Sequence, residues 1–150
     1  MGRRGELWVI IQAALLGLFL FVPRAGPPWP HPDLFHFVGW VSAASGIFLL
    51  IWGALNLGHS FTPFPRPVPQ GQLVTTGAYR FVRHPIYFAV LIACLGLALA
   101  TTSPLRLVLI LALFVFFDQK ARREEGWLQE QYPEYASYRM RVKKLVPWIY

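Results

Sequence analysis

Four apolar stretches constrain this chain more than any other feature. They are "LWVIIQAALLGLFLFV" (Leu7 to Val22), a run from about Leu34 to Leu57, "IYFAVLIACLGLALA" (Ile86 to Ala100) and "LRLVLILALFVFF" (Leu105 to Phe117). A bilayer-spanning helix needs roughly 20 apolar residues, with a range of about 17 to 25. The second stretch meets that length and the first approaches it. The third and fourth are shorter, and the tight "TTSP" link makes them read as a helical hairpin. The fourth lengthens through its polar continuation, Asp118 to Gln131. Of the 150 residues, 55% are hydrophobic and 14% charged, whereas soluble domains carry about 25% charged residues. The expected fold class is therefore all-α: one polytopic membrane helix bundle with about four spans, near 7–22, 34–57, 86–100 and 105–117. A cytoplasmic cap over 118–150 would include an amphipathic C-terminal helix. The first stretch has a basic start, but "VPRAGPPWP" behind it lacks a small-x-small cleavage site, so it reads as a span rather than a signal peptide.

The basic residues orient the bundle. With four spans, Arg3, Arg4, Arg66, Arg80, Arg83, Lys120, Arg122, Arg123, Arg139, Arg141, Lys143 and Lys144 share one side, and only Arg24 and Arg106 lie on the other. Lys and Arg concentrate on the cytoplasmic side of membrane proteins, so both termini and the middle loop are expected in the cytoplasm of an inner-membrane protein. The net charge of +7 then belongs to contact with anionic headgroups rather than with nucleic acid. The lone Cys94 excludes an internal disulfide and a cysteine-based metal cluster, and four scattered histidines supply no metal site. Gly39, Ala43 and Gly46 are spaced for close helix packing.

Two loops and a tail carry the polar residues. "PRAGPPWPHPD" is too rich in proline to be regular. The middle loop alternates Pro63, Pro65, Pro67 and Pro69, which favours an extended path. Its apolar content argues for packing at the cytoplasmic surface rather than disorder. Beyond Pro133, Tyr135, Tyr138, Val142 and Leu145 recur at helical spacing, as in a helix lying on the membrane.

Three clusters are candidates for chemistry. In "RFVRHP", His84 precedes Pro85, which disfavours α geometry at His84 and suits the first turn of a helix. His84 is thus expected at the N-cap, among free N–H groups and the positive end of the helix dipole. Taken alone, Arg80, Arg83 and His84 could equally be headgroup anchors, with Tyr87 in an aromatic belt. Glu124 and Glu125 in "RREEGW" could be a solvated face or bind an ammonium group. Glu134, Arg139 and Arg141 could lie on a surface helix or at a cavity mouth.

Taken in order, "LVTTGAYRFVRHPIYFAV", a short hairpin and "RREEGWLQEQYPEYASYRMRVKKLVPWI" resemble the isoprenylcysteine carboxyl methyltransferase family, over about residues 53 to 150. The family pattern of G-x-Y-x-x-x-R-H-P-x-Y, an E-E pair, Y-x-x-Y and a late proline falls on Gly77, Tyr79, Arg83, His84, Pro85 and Tyr87, then Glu124 and Glu125, then Tyr135, Tyr138 and Pro147. The resemblance implies an integral membrane methyltransferase with S-adenosylmethionine as cofactor. It implies cofactor contacts from His84, Tyr87, Arg83, Tyr79, Glu124 and Glu125. It implies that Glu134 and Arg141, with Arg139 as the alternative to Arg141, orient the acceptor. The lipid bilayer and a small lipidic acceptor are the implied partners, with neither nucleic acid nor metal involved, and carboxyl O-methylation is the expected reaction. The chain is shorter than larger members, which have five or more spans. Two other classes remain open: an NADPH-dependent reductase of the related sterol type, and a non-catalytic membrane accessory protein.

Overall fold

A computed structural model describes residues 5–23, 26 and 29–150. Arg3, Arg4 and Arg24 of the charge bias, and part of the first proline-rich loop, lie outside the described residues. Five α-helices follow in order: α1 Glu6–Phe21, α2 Pro32–Leu57, α3 Pro85–Ala100, α4 Pro104–Gln131 and α5 Tyr135–Arg141, with 3-10 turns at Gly58–Ser60 and Gly77–Arg80. Among the described residues there is no strand. One isolated parallel bridge pairs Val82 with Lys143. The four apolar stretches thus coincide with four helices within a residue or two, and α4 continues through Asp118 to Gln131 as its pattern predicts. α2 is long and apolar enough to cross a membrane by itself, while α1 and α3 are shorter apolar helices.

α2 and α3 pack backbone to backbone. A Cβ on Gly39 would stand 2.2 Å from the Ala100 nitrogen, one on Gly46 2.5 Å from that of Ala93, and one on Gly96 2.3 Å from that of Ala43. The small residues spaced along α2 therefore do what their spacing predicts. Without them the helices could not approach this closely. The outer face of α2 (Phe37, Trp40, Phe48, Ile51, Leu55) is left exposed, which suits lipid rather than water. The main core lies on the other side of α3. Phe19 of α1, Leu91, Cys94 and Ala98 of α3, and Leu113 and Phe117 of α4 meet there, and Leu145 of the C-terminal segment closes it. Cys94 is one packed core residue among these.

Local chemistry sets the helix ends. α3 stops in a Schellman-type turn: Ser103 N–H donates to Ala98 O at 3.0 Å and Thr102 N–H to Leu99 O at 2.9 Å. Thr102 takes the left-handed position at φ 46°. Ser103 then caps α4, accepting from Arg106 N–H, and Pro104 opens the helix. Arg106, an exception to the charge bias, has a structural task. Its side chain is buried and donates to Phe19 O at 3.2 Å, Leu20 O at 3.1 Å and Thr101 Oγ1 at 2.7 Å. It thereby satisfies carbonyls that the end of α1 leaves open.

The C-terminal helix differs from expectation. α5 spans seven residues, and Val142 and Leu145 lie beyond it. Its aromatic stripe turns inward, where Tyr135 and Tyr138 cluster with Tyr132, Leu73 and Leu128. Pro133 separates it from α4, and the stripe packs on the protein's own loop instead of lying on a membrane surface.

The seam can be tested by adding single methyl groups. Gly96→Ala should destabilise the fold by about 1–3 kcal/mol despite alanine's better helix propensity, because its Cβ meets backbone. Gly126→Ala, with nothing within 4 Å of the new Cβ, should stabilise by about 0.5–1 kcal/mol. Thermal unfolding of both variants in one detergent checks this, and shifts of the same sign would refute the seam.

Candidate functional site

The start of α3 is built by the residues before it. Gly77 adopts φ 59°, and a Cβ there would lie 2.3 Å from Asn56 Oδ1, so the position admits only glycine. Asn56, at the end of α2, accepts a hydrogen bond from Ala78 N–H at 2.8 Å. Tyr138 Oη donates to the Tyr79 carbonyl at 2.6 Å. His84 is the N-cap residue and Pro85 the first helical residue, as the "RHP" order predicts. A C-terminal strap holds this corner: Arg83 N–H donates to Lys143 O at 2.8 Å and His84 N–H to Lys144 O at 3.1 Å.

The side chains form two linked acidic centres. Glu125 is buried, and its Oε1 accepts from Arg83 Nε at 2.7 Å and meets His84 Nε2 at 3.2 Å. Arg83 Nη1 also donates to the carbonyls of Arg139, at 3.0 Å, and Val142. Burial by itself raises the Glu125 pKa, but hydrogen bonds from His84 and Arg83, with their charges, reverse this and hold it at about 2. Glu124 Oε2 accepts from Tyr87 Oη at 2.5 Å and lies 3.8 Å from His84 Nδ1. The rings of His84, Tyr87 and Phe117 stack in series, with centroids 5.3 and 4.9 Å apart. Burial pushes the Tyr79, Tyr135 and Tyr138 phenols well above their ordinary value, so they remain protonated donors.

These groups wall a cavity of about 280 Å³. Its cap side is formed by Tyr79, Leu128, Tyr132, Tyr135 and Tyr138, and by the proline-rich loop from Phe61 to Val68. Toward the helices it reaches Gln12, Leu50, Ile86, Val90 and Lys120. The Tyr135 hydroxyl is buried beside the Glu125 carboxylate and makes no hydrogen bond of good geometry. A buried hydroxyl in that state calls for a ligand or water. A carboxylate, phenols, aromatic faces and the apolar side chains of Leu50, Ile86 and Val90 together suit an organic ligand with a cationic part.

The sequence family model for phospholipid methyltransferases matches residues 34–135. The chain belongs to the phospholipid methyltransferase family. Among its relatives, the cobalt-zinc-cadmium resistance protein CzcN of Cupriavidus metallidurans is 37% identical over 146 residues, covering 97% of this chain and 63% of that protein. The protein-S-isoprenylcysteine O-methyltransferase of Saccharomyces cerevisiae is 35% identical over 96 residues, covering 61% of this chain and 40% of that protein. This chain thus spans less than two thirds of the length of either relative. The solved structure of a eukaryotic intramembrane Ras methyltransferase, isoprenylcysteine carboxyl methyltransferase, matches with a TM-score of 0.67 at 20% identity over 99% of this chain and 55% of that one. The all-helical fold is therefore that of an intramembrane protein, and the resemblance carried by "GAYRFVRHPIY" and the Glu124–Glu125 pair is a family relationship.

Within this phospholipid methyltransferase family member, His84, Tyr87, Arg83, Tyr79 and Glu124 all line the cavity. Glu125 stands behind its wall and holds Arg83 and His84 in place. The structure does not bring Glu134, Arg139 and Arg141 to the cavity. Glu134 and Arg141 are exposed, and Arg141 Nε donates to Ser137 O on its own helix at 3.3 Å. The Arg139 side chain is half exposed and meets Glu125 Oε2 at 3.7 Å, behind the cavity wall. Lys120 and Gln12 are cavity residues that sequence reasoning missed. Lys120 reads as one more cytoplasmic charge, although Gln12 is a signal as the sole polar side chain of the first apolar stretch.

Glu125 makes stability depend on acid. Its folded pKa of about 2 lies below the ordinary 4.5, so its contribution is complete above about pH 4.5 and is lost as the pH falls toward 2. Glu125→Gln should lower stability at neutral pH by about 3–5 kcal/mol, as removal of one partner from a buried ion pair does. It should also flatten the acid limb of a melting-temperature profile between those two pH values. An unchanged limb would show that Glu125 is not the titrating group.

Proposed function

We propose that this chain carries out S-adenosylmethionine-dependent methyl transfer to a lipidic or isoprenoid-like acceptor at the cytoplasmic face of the inner membrane, with carboxyl O-methylation as the reaction. The observation that carries this reading is the cavity at the start of α3. There Glu124, His84, Tyr79, Tyr87 and Tyr135 converge between a polar cap and apolar helices. These residues fit the cofactor: Glu124 suits its ammonium or ribose, and the tyrosine rings suit its base and cationic sulfur. S-adenosylmethionine, when bound, supplies an electrophilic methyl group.

The protein's own part is positioning and exclusion of water. Arg83 and Glu125 lock His84 at the cavity wall, and Tyr87 fixes the Glu124 carboxylate. A cavity of about 280 Å³ suits one compact ligand, at the lower end of the roughly 300–1,000 Å³ common for pockets. A long apolar tail would therefore lie outside it, past Leu50, Ile86 and Val90. In this reading α1, α2, α3 and the first part of α4, over 105–117, are the four spans, and the cap over 118–150 is cytoplasmic, in keeping with the charge bias. Glu134 and Arg141 do not line this cavity, and the reading gives them no part in it. A second reading, a membrane accessory protein, draws on the match to a metal-resistance protein over nearly the whole chain.

Calorimetry on detergent-purified protein separates the readings. Wild type should bind S-adenosylhomocysteine and ignore NADPH, and Glu124→Gln and His84→Ala should each weaken binding about tenfold or more. NADPH binding without S-adenosylhomocysteine binding would mark a reductase, and binding of neither would favour the accessory role.

A further inference from the structure

Among the described residues two buried cations, Arg106 and Lys120, pair with no carboxylate, and of these only Lys120 lines the cavity. α4 presents Lys120, Glu124 and Leu128 at four-residue intervals, and all three line the cavity. Lys120 is 2% exposed. Its Nζ donates to Gln12 Oε1 at 2.6 Å and to the Pro63 carbonyl at 3.2 Å, and lies 5.2 Å from the centre of the Tyr87 ring. Both acceptors are uncharged. Among the described residues no carboxylate pairs with it: Arg83, His84 and Arg139 take Glu125, and Arg122 and Lys144 take Asp118. Glu124, one turn along the helix, is bonded to Tyr87. A buried cation is costly without a counter-charge. Burial lowers the ammonium's pKa, and only the Glu124 charge opposes that. A carboxylate brought by a ligand would remove the deficit.

We propose that Lys120, oriented by Gln12 and the Pro63 carbonyl, is a carboxylate seat, and that with Glu124 it reads the zwitterionic amino-acid end of the cofactor. Residues four apart on a helix are offset by about 6 Å along its axis. A carboxylate and an ammonium on one carbon can therefore each face an opposite charge on the same side of α4. The ring of Tyr87 lies beside both, touching Glu124 through its hydroxyl and Lys120 through its face. The inference rests on the proposed function and adds Lys120 and Gln12 to its binding residues. It also accounts for a polar side chain midway along α1: Gln12 fixes the direction of the ammonium.

The test compares S-adenosylhomocysteine with 5′-methylthioadenosine, which keeps the adenosine and thioether but has no amino-acid end. Affinities are measured by calorimetry on the full chain, and their ratio is taken within each variant, so partial unfolding changes the active fraction and not the ratio. In Lys120→Gln the preference for S-adenosylhomocysteine should fall about tenfold or more while 5′-methylthioadenosine binds as before. Lys120→Arg should keep part of the preference, and Gln12→Leu should lose some of it. An unchanged ratio overturns the seat. So does an equal loss for both ligands, which would mark Lys120 as purely structural. Weaker binding of N-acetyl-S-geranylgeranylcysteine, relative to its amide, with unchanged S-adenosylhomocysteine binding would give the seat to an acceptor carboxylate and overturn the cofactor assignment. Wild type that binds neither nucleoside overturns the proposed function and this inference together. Wild type that binds both, with no Lys120-dependent ratio, overturns this inference alone.

Discussion

One residue, Arg83, ties its own segment to α4, to the end of α5 and to the C-terminal strap. Arg83 reaches Glu125 on α4 with Nε, the carbonyls of Arg139 and Val142 at the end of α5 with Nη1, and the C-terminal strap through its backbone N–H to Lys143 O. The bonds to Glu125 and to the Val142 carbonyl are partly buried, and the ionic one is worth more than a neutral hydrogen bond. His84 follows directly and inherits its place: its own N–H is bound to Lys144 O and its ring is held between the two glutamates. The cavity wall is thus fixed by the residue beside it in sequence. Arginine suits this position because a planar fork can serve a carboxylate and two carbonyls at once, which an ammonium could not match.

The strap belongs to the site as much as α3 does. Leu145 is fully buried in the core, so the strap is anchored by apolar contact as well as by its two backbone bonds. Lys144 pairs with Asp118, whose Oδ1 also accepts from Tyr150 Oη at 2.9 Å and whose Oδ2 accepts from Arg122 at 2.8 Å. Burial works to raise the Asp118 pKa, and these donors overcome it and lower it. A second ionic centre outside the cavity wall therefore holds the same segment that positions the first.

The sequence was informative where the governing interaction is local. Apolar length, Ser103 before Pro104, and His84 before Pro85 each act over a few residues, and the helices start and stop there. The glycine and alanine spacing on α2 was readable because close packing leaves small residues as its only trace. The C-terminal helix was misjudged because an apolar stripe at helical spacing looks the same whether it faces lipid or protein, and here Leu73 and Leu128 are its partners. Within the site, order along the chain identified the segments that converge, but depth was not readable. Glu124 and Glu125 are adjacent and alike, yet helical rotation puts one on the cavity and the other behind it. The resemblance favours Arg141 over Arg139 for a ligand, yet α5 leaves Arg141 on Ser137 of its own helix and aims Arg139 at Glu125 behind the cavity wall.

The distribution of polarity follows from the bilayer and the cavity together. A charge within an apolar helix is expensive, and the buried or largely buried ions of the described residues accordingly sit at helix ends or in the cap: Arg106 beside the end of α1, Arg83 before the start of α3, and Glu125, Asp118 and Lys144 in the cap. Lys120 lies three residues beyond the apolar part of α4, and among the described residues it shares with Arg106 the lack of an ionic partner, but Lys120 alone of the two lines the cavity. Gln12 meets it from α1. A neutral amide costs far less than a charge at that depth, yet it can direct an ammonium by accepting a hydrogen bond. The one polar residue of the first apolar stretch therefore stands where the floor of the cavity requires an acceptor, a position that membrane insertion alone would have filled with leucine.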